Sequence, residues 1–167
     1  PEHIKDLAAA VKPLTREKKE TVISIKNDAQ EQKVEEVKLA DKSAFGKKLA
    51  EKEWITAVEI TPPRGWNTER IVASAKLCKE YGVDTINVPD GPRAAPRLSA
   101  LITSLKIQQE ADIETILHVC SRDRNYLGLQ ADLLGCAACG IKNMLFITGD
   151  PPKLGGYGFA TGVFDTD

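Results

Sequence analysis

Strand-like apolar runs alternate with helical patterns along residues 55–167. The four strand-like runs are I-T-A-V-E-I, D-T-I-N-V-P-D-G, E-T-I-L-H-V-C and N-M-L-F-I-T-G-D, and they begin at residues 55, 84, 114 and 143. They recur with a period of about 30 residues, the size of one strand-helix unit. Such alternation with short connections predicts an α/β fold with a parallel sheet and right-handed crossovers.

Three segments between these strands carry apolar residues at helical spacing. The first helix is predicted to be capped by Asn67 and to turn Ile71, Val72, Ala75 and Cys78 inward. The second is predicted to open near Pro96 and to turn Leu98, Leu101, Ile102 and Leu105 inward. The third is predicted to begin at about Asn125 and to turn Leu133, Leu134 and Ala137 inward. These helices are the crossovers that a parallel sheet requires.

The residues before the first strand divide into three segments. Residues 1–12 predict a short helix that has proline at its start. Residues 13–42 are mostly charged, in blocks of mixed sign, and predict a solvated linker. Ser43 is a candidate cap for a helix through about Lys52, with Phe45 and Leu49 as its apolar pair. We therefore expect residues 43–167 to form one domain, with this helix closing one end of the sheet.

Polar residues recur at the carboxyl end of each predicted strand. They are Glu59, then Asp90, then Ser121 with Arg122 and Asp123, and finally Thr148 with Asp150. Barrels and open parallel sheets both place their chemistry in these loops, so the pattern favours an enzyme over a binding module. Glu59 lies among apolar neighbours, and desolvation there would raise its pKa, as a general acid at neutral pH requires. The alternative is a structural glutamate that accepts backbone hydrogen bonds.

Composition argues against several function classes. The 167 residues include 23 Lys+Arg and 24 Asp+Glu, so the net charge of -1 creates no field that favours nucleic acid or an anionic membrane. No apolar run approaches the roughly 20 residues of a membrane span, and no signal peptide opens the chain. Four unevenly spaced cysteines are typical of a reducing compartment, which predicts a cytoplasmic protein. We interpret Cys136 and Cys139, in C-A-A-C, as packing residues because no second pair stands at metal spacing.

The equal strand-helix units favour one parallel fold. No G-x-G-x-x-G follows the first strand and no P-loop is present, so the dinucleotide and mononucleotide fingerprints are absent. Equal units suit a (β/α)8 barrel, which needs roughly 250 residues. Four units fit between Ile55 and Asp167, so we predict the first half of such a barrel. Its inner face and its last strand would be exposed, which predicts association, disorder or marginal stability.

Four motifs, in order, resemble those of one enzyme family. They are V-E-I-T-P-P-R at the first strand, the V-x-x-G exit of the second, L-H-V-C at the third and F-I-T-G-D-P-P at the fourth. Through them, residues 45–167 resemble the first half of 5,10-methylenetetrahydrofolate reductase, a flavin-dependent barrel enzyme. The charged lead-in and the opening P-E-H-I resemble the form fused behind a homocysteine S-methyltransferase. This resemblance implies that residues 1–12 are the terminal helix of that upstream domain.

The resemblance also implies a mechanism and the residues that perform it. Members of the family use FAD to carry a hydride from NAD(P)H to methylenetetrahydrofolate, which yields the 5-methyl compound. Glu59 matches the glutamate that protonates a folate nitrogen, and Asp150 matches the aspartate beside the flavin and the folate. His118, Thr148 and Gly149 match positions that contact the flavin. No metal site is implied.

Some positions depart from the family pattern. Pro89 stands where many relatives carry threonine. A hydroxyl contact to the flavin is then lost, or backbone groups of Asp90 and Gly91 replace it. Phe164 and Asp165 align loosely with the next flavin contact of the family.

The resemblance implies partners as well as a substrate. The expected partners are methylenetetrahydrofolate and either the rest of the parent barrel or a second copy of the chain. Alone, the chain is expected to keep half of the site without useful catalysis. Two other functions stay open on the residues. One is a pterin-binding methyltransferase-type barrel, which also places acids at strand ends, and the other is a non-catalytic interaction fragment.

Overall fold

A computed structural model describes residues 36–166. The predicted helix at 1–12 and residues 13–35 of the predicted linker lie outside the described residues. The described helices and strands, in chain order, are α1 (Leu39–Lys42), α2 (Ala44–Glu51), β1 (Ala57–Glu59), α3 (Glu69–Glu80), β2 (Thr85–Val88), α4 (Ala100–Ala111), β3 (Glu114–Cys120), α5 (Tyr126–Ala138) and β4 (Asn143–Ile147). Short 3-10 turns at Pro92–Ala94 and Pro152–Leu154 follow β2 and β4. None of the described helices is both long enough and apolar enough to cross a bilayer.

The four strands form one parallel sheet in the order β1-β2-β3-β4. The helices α3, α4 and α5 connect successive strands, and β3 has the predicted bounds. The register aligns Glu59 on β1 with Asn87 on β2, and Asn87 with Ile116 on β3. Sequential parallel strands joined by helices confirm the predicted α/β architecture, a partial (β/α) barrel.

The two faces of the sheet differ in how they are covered. Ile86, Leu117 and Val119 are buried on one face, where they pack with residues of α3, α4 and α5. Side chains alternate along a strand, so the opposite face carries Glu59, Asn87, Ile116, His118 and Leu145, a set that we call the inner face. Leu145 is 46% exposed there, and the adjacent Phe146 is 58% exposed on the other side of β4. Among the described residues, the predicted exposure is confirmed for Glu59 and Leu145 on the inner face and for Phe146 on the last strand, while Asn87, Ile116 and His118 are half-buried.

The cap predicted for α2 is confirmed, whereas the N-cap of α3 is Thr68 and Asn67 binds the helix from one residue before it. The hydroxyl of Ser43 accepts the N–H of Gly46 at 2.8 Å, and α2 begins at the next residue after Ser43. The side-chain oxygen of Asn67 accepts the N–H of Glu69, the first residue of α3, at 2.9 Å. The apolar face of α3 is also as predicted, with Ile71, Val72 and Ala75 buried and Cys78 packed against them.

Helix α2 is fastened to the amino edge of the sheet. The carboxylate of Glu114, at the start of β3, accepts the N–H groups of Ala44 and Phe45 at 2.8 and 2.9 Å. The Ser43 hydroxyl also donates to the side-chain oxygen of Asn143, at the start of β4, at 2.6 Å. A carboxylate at a helix amino terminus is stabilised by the free N–H groups and by the helix dipole. The helix therefore closes this end of the sheet, as predicted.

The predicted start of α4 is wrong, and its predicted inner face is right only for Leu101 and Leu105, which pack against the core. The helix begins at Ala100, beyond Pro96, because Leu98 donates its N–H to the carbonyl of Pro63 at 2.9 Å and so belongs to the preceding loop. Ile102, predicted to point inward, is 44% exposed. The buried positions of α4 are Ala100, Thr103, Ser104, Ile107 and Ala111.

The predicted inner face of α5 is also wrong in part. Asn125 caps this helix as predicted, since its side-chain oxygen accepts the N–H of Gly128 at 2.8 Å. Leu134 is nevertheless 73% exposed, and Ala137 is exposed as well. The residues that pack against the core are Leu129, Leu133 and Cys136.

Candidate functional site

The exits of β2, β3 and β4 are tied together at the carboxyl edge of the sheet. The carboxylate of Asp90, after β2, accepts the N–H of Cys120, at the end of β3, at 3.1 Å. The N–H of Arg122, after β3, donates to the carbonyl of Thr148, after β4, at 3.1 Å. Parallel strands end on the same side of a sheet, so the predicted polar residues of these exits share one edge.

Glu59 lies at this edge on β1, but its predicted burial is wrong. It is exposed, although its sequence neighbour Ile60 is in the core. Side chains alternate along the strand, so Ile60 faces the helices and Glu59 faces the uncovered inner side. Glu59 also borders an open cavity of about 490 Å³ between β1 and α3, which is lined by Ile60 and Ile71 as well. The apolar surroundings on which the prediction relied are therefore those of the opposite face.

His118 is half-buried on the inner face, on the central strand β3. Its Nε2 lies 3.4 Å from the side-chain oxygen of Asn87 on β2. Burial lowers the pKa of His118, and the carboxylates of Glu59 and Asp90 oppose that shift. The structure therefore brings Glu59, Asn87 and His118 together from three neighbouring strands.

Asp150 is exposed in the loop after β4 and joins that loop to the other exits. Its Oδ2 accepts the N–H of Arg93, in the β2 exit, at 2.9 Å. Its carbonyl oxygen accepts a hydrogen bond from Nη1 of Arg122 at 3.1 Å. Gly149 adopts φ +91°, and a Cβ there would lie 2.1 Å from Sγ of Cys120, so the turn requires glycine.

Pro89 and Asp90, which are predicted flavin contacts, belong to the β2 exit. Pro89 is buried, and the carboxylate of Asp90 accepts a hydrogen bond from Nη1 of Arg124 at 2.6 Å. Nε of Arg124 in turn donates to Asp132 on α5 at 2.7 Å. The Asp90 side chain therefore connects β2 to the segment after β3 and, through Arg124, to α5.

The two remaining predicted contacts, Phe164 and Asp165, lie beside the amino end of α5. The carboxylate of Asp165 accepts the N–H of Tyr126, the first residue of α5, at 3.0 Å. Phe164 is 38% exposed and has φ +48°. The preceding Val163 donates its N–H to the carbonyl of Arg122 at 2.7 Å. This segment therefore packs against the exit of β3, and Asp165 binds the first N–H of α5 beside the cap Asn125.

Sequence reasoning missed Asn87 and gave Arg122 no specific part in the site. Arg122 is only 4% exposed, and its guanidinium binds both oxygens of Asp123, at 2.8 and 2.5 Å. The run S-R-D-R after β3 is typical of a solvated loop, so composition alone does not mark this arginine as buried. For Asn87 a signal was present, because a polar residue inside the apolar run I-N-V requires a partner.

The C-A-A-C pair divides between the core and the surface. Cys136 is 1% exposed, whereas Cys139 is exposed at the end of α5. Burial raises the pKa of the Cys136 thiol, which disfavours the thiolate that metal binding or nucleophilic attack requires. The predicted packing role is right for Cys136 and wrong for Cys139.

A family model described as methylenetetrahydrofolate reductase matches residues 44–162. The match covers well over half of the chain, including α2, all four strands with Glu59 and His118, and the β4 exit with Asp150. The chain belongs to the methylenetetrahydrofolate reductase family. Membership implies a reductase-type function with a folate substrate, while Phe164 and Asp165 lie outside the matched residues. Among curated proteins, no significant match was found.

Methylenetetrahydrofolate reductases are generally flavin-dependent, and the residues of this chain fit such a group. The inner face offers apolar Ile116 and Leu145 beside polar Asn87 and His118. Apolar surface with a few convergent polar groups is the usual chemistry of a site that holds a ring system.

Proposed function

We propose that this chain carries part of a flavin-dependent site that reduces 5,10-methylenetetrahydrofolate to 5-methyltetrahydrofolate with NAD(P)H. The observation that supports it best is the shared inner face, on which the register places Glu59 beside Asn87, and Nε2 of His118 lies 3.4 Å from the side-chain oxygen of Asn87. Asp150 lies at the same carboxyl edge, in a turn held against the end of β3. An acid, an imidazole and a second acid around one apolar surface suit this reaction.

His118, Thr148, Gly149 and Asp150 would hold the cofactor at the carboxyl edge. When bound, FAD supplies the hydride-transfer chemistry that amino-acid side chains lack. Burial lowers the pKa of His118, so its imidazole is mostly neutral at pH 7 and offers one hydrogen-bond donor and one acceptor. The backbone groups of Asp90 would complete this set of contacts.

Glu59 would act as the general acid. Its carboxyl donates a proton to a ring nitrogen of the folate, the carbon–nitrogen bond of the five-membered ring breaks, and the resulting iminium carbon accepts the hydride. Glu59 is exposed in this structure, so a ligand on the inner face could reach its carboxyl group directly. The negative charge of Asp150 would stabilise the iminium cation.

A Glu59→Gln substitution tests this assignment. In the longest natural polypeptide that contains this chain, we expect folate reduction to fall by about 10²–10⁴-fold, the usual contribution of a general acid. The flavin absorbance should stay unchanged, because glutamine keeps the shape of the side chain. Glu80→Gln, at an exposed position at the end of α3, is the matched control. Retained folate reduction in the Glu59 variant would refute the proposed role.

The two other functions give different outcomes in the same experiment. A pterin-binding methyltransferase-type barrel would show no NAD(P)H-dependent reduction even in the unsubstituted polypeptide. A non-catalytic interaction fragment would show neither flavin binding nor turnover. Saturable flavin binding together with reduction that depends on Glu59 is expected only of the reductase.

We also propose a setting for this site. The uncovered inner face supports a role as one part of a larger assembly, either with further barrel units behind a homocysteine S-methyltransferase or with a second copy. Purified alone, the chain would then lack turnover. All four cysteines are free thiols, which supports a reducing compartment such as the cytoplasm.

A further inference from the structure

Arg122 is a buried cation whose donors all point at groups around the strand exits. It is 4% exposed, and its Nε and Nη2 donate hydrogen bonds to the carboxylate of Asp123. Nη1 donates to the carbonyl of Asp150, after β4, at 3.1 Å and to the carbonyl of Gly91, after β2, at 3.4 Å. The guanidinium therefore bridges the β2 and β4 exits across the end of β3. Asp123 fixes its plane, because a bidentate pair restricts rotation.

Glycines allow both exits to approach this guanidinium closely. Gly91 has φ +50°, and a Cβ there would lie 2.7 Å from Nη2 of Arg122. A Cβ on Gly149 would lie 3.3 Å from Cβ of Arg122 as well as against Cys120. A larger residue at either position would push an exit away from the arginine.

The Asp150 carboxylate is held by the same two exits. Its Oδ2 accepts the N–H of Arg93, two residues after Gly91. Arg93 and the following Ala94 have φ +58° and +51°, conformations that such residues avoid unless they are held. Arg122 thus binds the carbonyls of Gly91 and Asp150, one on each side of the Asp150–Arg93 hydrogen bond. These hydrogen bonds together form a closed ring that joins the β2 and β4 exits.

We propose that Arg122 is a positioning residue that sets the place of the Asp150 carboxylate at the carboxyl edge of the sheet. It does so by holding the main chains of Asp150 and Gly91 together. The part that this carboxylate plays in catalysis rests on the proposed function. The shape of the guanidinium is essential to the role, since its planar fork reaches Asp123, Asp150 and Gly91 at once and an ammonium group does not.

The first test uses the chain itself and needs no cofactor. The amide exchange rate of Arg93, measured by NMR, reports on its hydrogen bond to Asp150. We expect Arg122→Gln and Arg122→Lys each to speed this exchange by roughly tenfold or more, the equivalent of one lost hydrogen bond to a charged group. Arg97→Gln is the matched control, because Arg97 and Arg122 line one cavity but Arg97 donates to the carbonyl of Pro62, at 2.8 Å.

Equal Arg93 exchange rates in the unsubstituted chain and in the Arg122 variants would overturn the proposal. If the Arg122 variants fail to fold, Asp123→Asn tests the same ring. This substitution keeps Arg122 and weakens only the ion pair that fixes the plane of its guanidinium. We therefore expect a smaller acceleration of Arg93 exchange. No acceleration in a folded Asp123→Asn chain would also count against the proposal.

The second test uses the flavin-loaded form of the longest natural polypeptide that contains this chain. We expect Arg122→Lys to lower kcat by about tenfold and to leave KM for the folate within about twofold. In an Asp150→Asn background the same substitution should have no further effect, because Arg122 acts through that carboxylate. Losses that multiply in the double variant would overturn the proposal. An unchanged kcat despite faster Arg93 exchange would instead refute the catalytic part that the proposed function gives to Asp150. An unsubstituted polypeptide that binds no flavin would refute the proposed function instead, and the exchange rates would still decide whether Arg122 positions Asp150.

Discussion

His118 and Glu59 share the inner face, yet their surroundings differ. His118 is half-buried on a central strand, whereas Glu59 is exposed on the edge strand β1. Desolvation penalises a charged imidazole, so burial lowers the pKa of His118 even though two carboxylates lie near it. The inner face thus contains an imidazole, that of His118, which favours its neutral form, and a carboxylate, that of Glu59, which is open to solvent.

We expect His118 to titrate below the ordinary histidine pKa of about 6.5. The unfolded chain then takes up this proton first. The free energy of unfolding therefore decreases as the pH falls from about 6.5 towards the folded-state pKa, and the change is complete below that value. Imidazole proton resonances measured by NMR over a pH series give the folded-state pKa directly. The chain has only 2 histidines, and a His3→Gln variant assigns the signals.

The same titration reports on the neighbouring carboxylate. Glu59→Gln should lower the pKa of His118 further, since the Glu59 charge raises it. Glu80→Gln should leave the pKa unchanged. A His118 pKa at or above about 6.5 would contradict the effect of burial described here.

The position of the site residues could be predicted from the sequence better than their burial. A residue that follows a parallel strand must lie at the carboxyl edge, so Asp90, Arg122 and Asp150 were placed by strand order alone. Burial depends on which face of the sheet a side chain joins. Glu59 has apolar neighbours in the sequence, but they point to the other face. The buried contacts of Arg122 come from two loops distant in the chain, so no local pattern predicts them.

At the scale of helices and strands, caps and the order of the strands were more predictable than helix faces, while of the strand bounds only those of β3 were as predicted. Asparagine and serine caps have a local cause, and Ser43, Asn67 and Asn125 each bind a helix N–H as predicted. The sequence of α5 is apolar around most of its circumference, so several faces are equally hydrophobic. In α4, Thr103 and Ser104 are polar by type yet 0% exposed, because small side chains fit where the helix lies close against its neighbours.

The attachment of α2 to the sheet gives a prediction at this scale. Ser43→Ala removes the cap and the hydrogen bond to Asn143, and we expect it to lower the free energy of unfolding by about 1 kcal/mol. Glu114→Gln removes the charge and one of two acceptors for the helix N–H groups, which should cost about 1–2 kcal/mol. Urea denaturation followed by circular dichroism measures both values. Glu51→Gln is the control, because this residue is exposed at the carboxyl end of α2.

The double variant tests whether the two groups act on one helix end. Ser43 and Glu114 both hold the first turn of α2, so their combined loss should be smaller than the sum of the single losses. Additive losses would show instead that the groups stabilise the fold independently. An unchanged unfolding free energy in Glu114→Gln would mean that the carboxylate contributes nothing beyond what water supplies to the same N–H groups.

At the scale of the whole molecule, the described residues form a sheet that is covered on one face. The helices α3, α4 and α5 bury the outer face, while Leu145 on the inner face and Phe146 beside it on β4 are both exposed. As the last strand of the sheet order, β4 also presents backbone N–H and C=O groups along its free side. Exposed apolar side chains beside an unpaired strand edge are a site for association.

We therefore expect the isolated chain to associate as its concentration rises, with β4 in the contact. Changing Leu145 and Phe146 together to lysine should shift the molecule towards monomer, because two charges on the edge strand oppose pairing and can remain in water. Tyr81→Lys is the control: it adds one charge at an 82% exposed aromatic position that follows α3 and lies outside β4. Sedimentation velocity over a concentration series distinguishes the variants.

Unsubstituted chain that stays monomeric at every concentration would show that an open edge with these side chains is not enough to drive association. Association that persists in the double lysine variant would place the contact elsewhere than on β4.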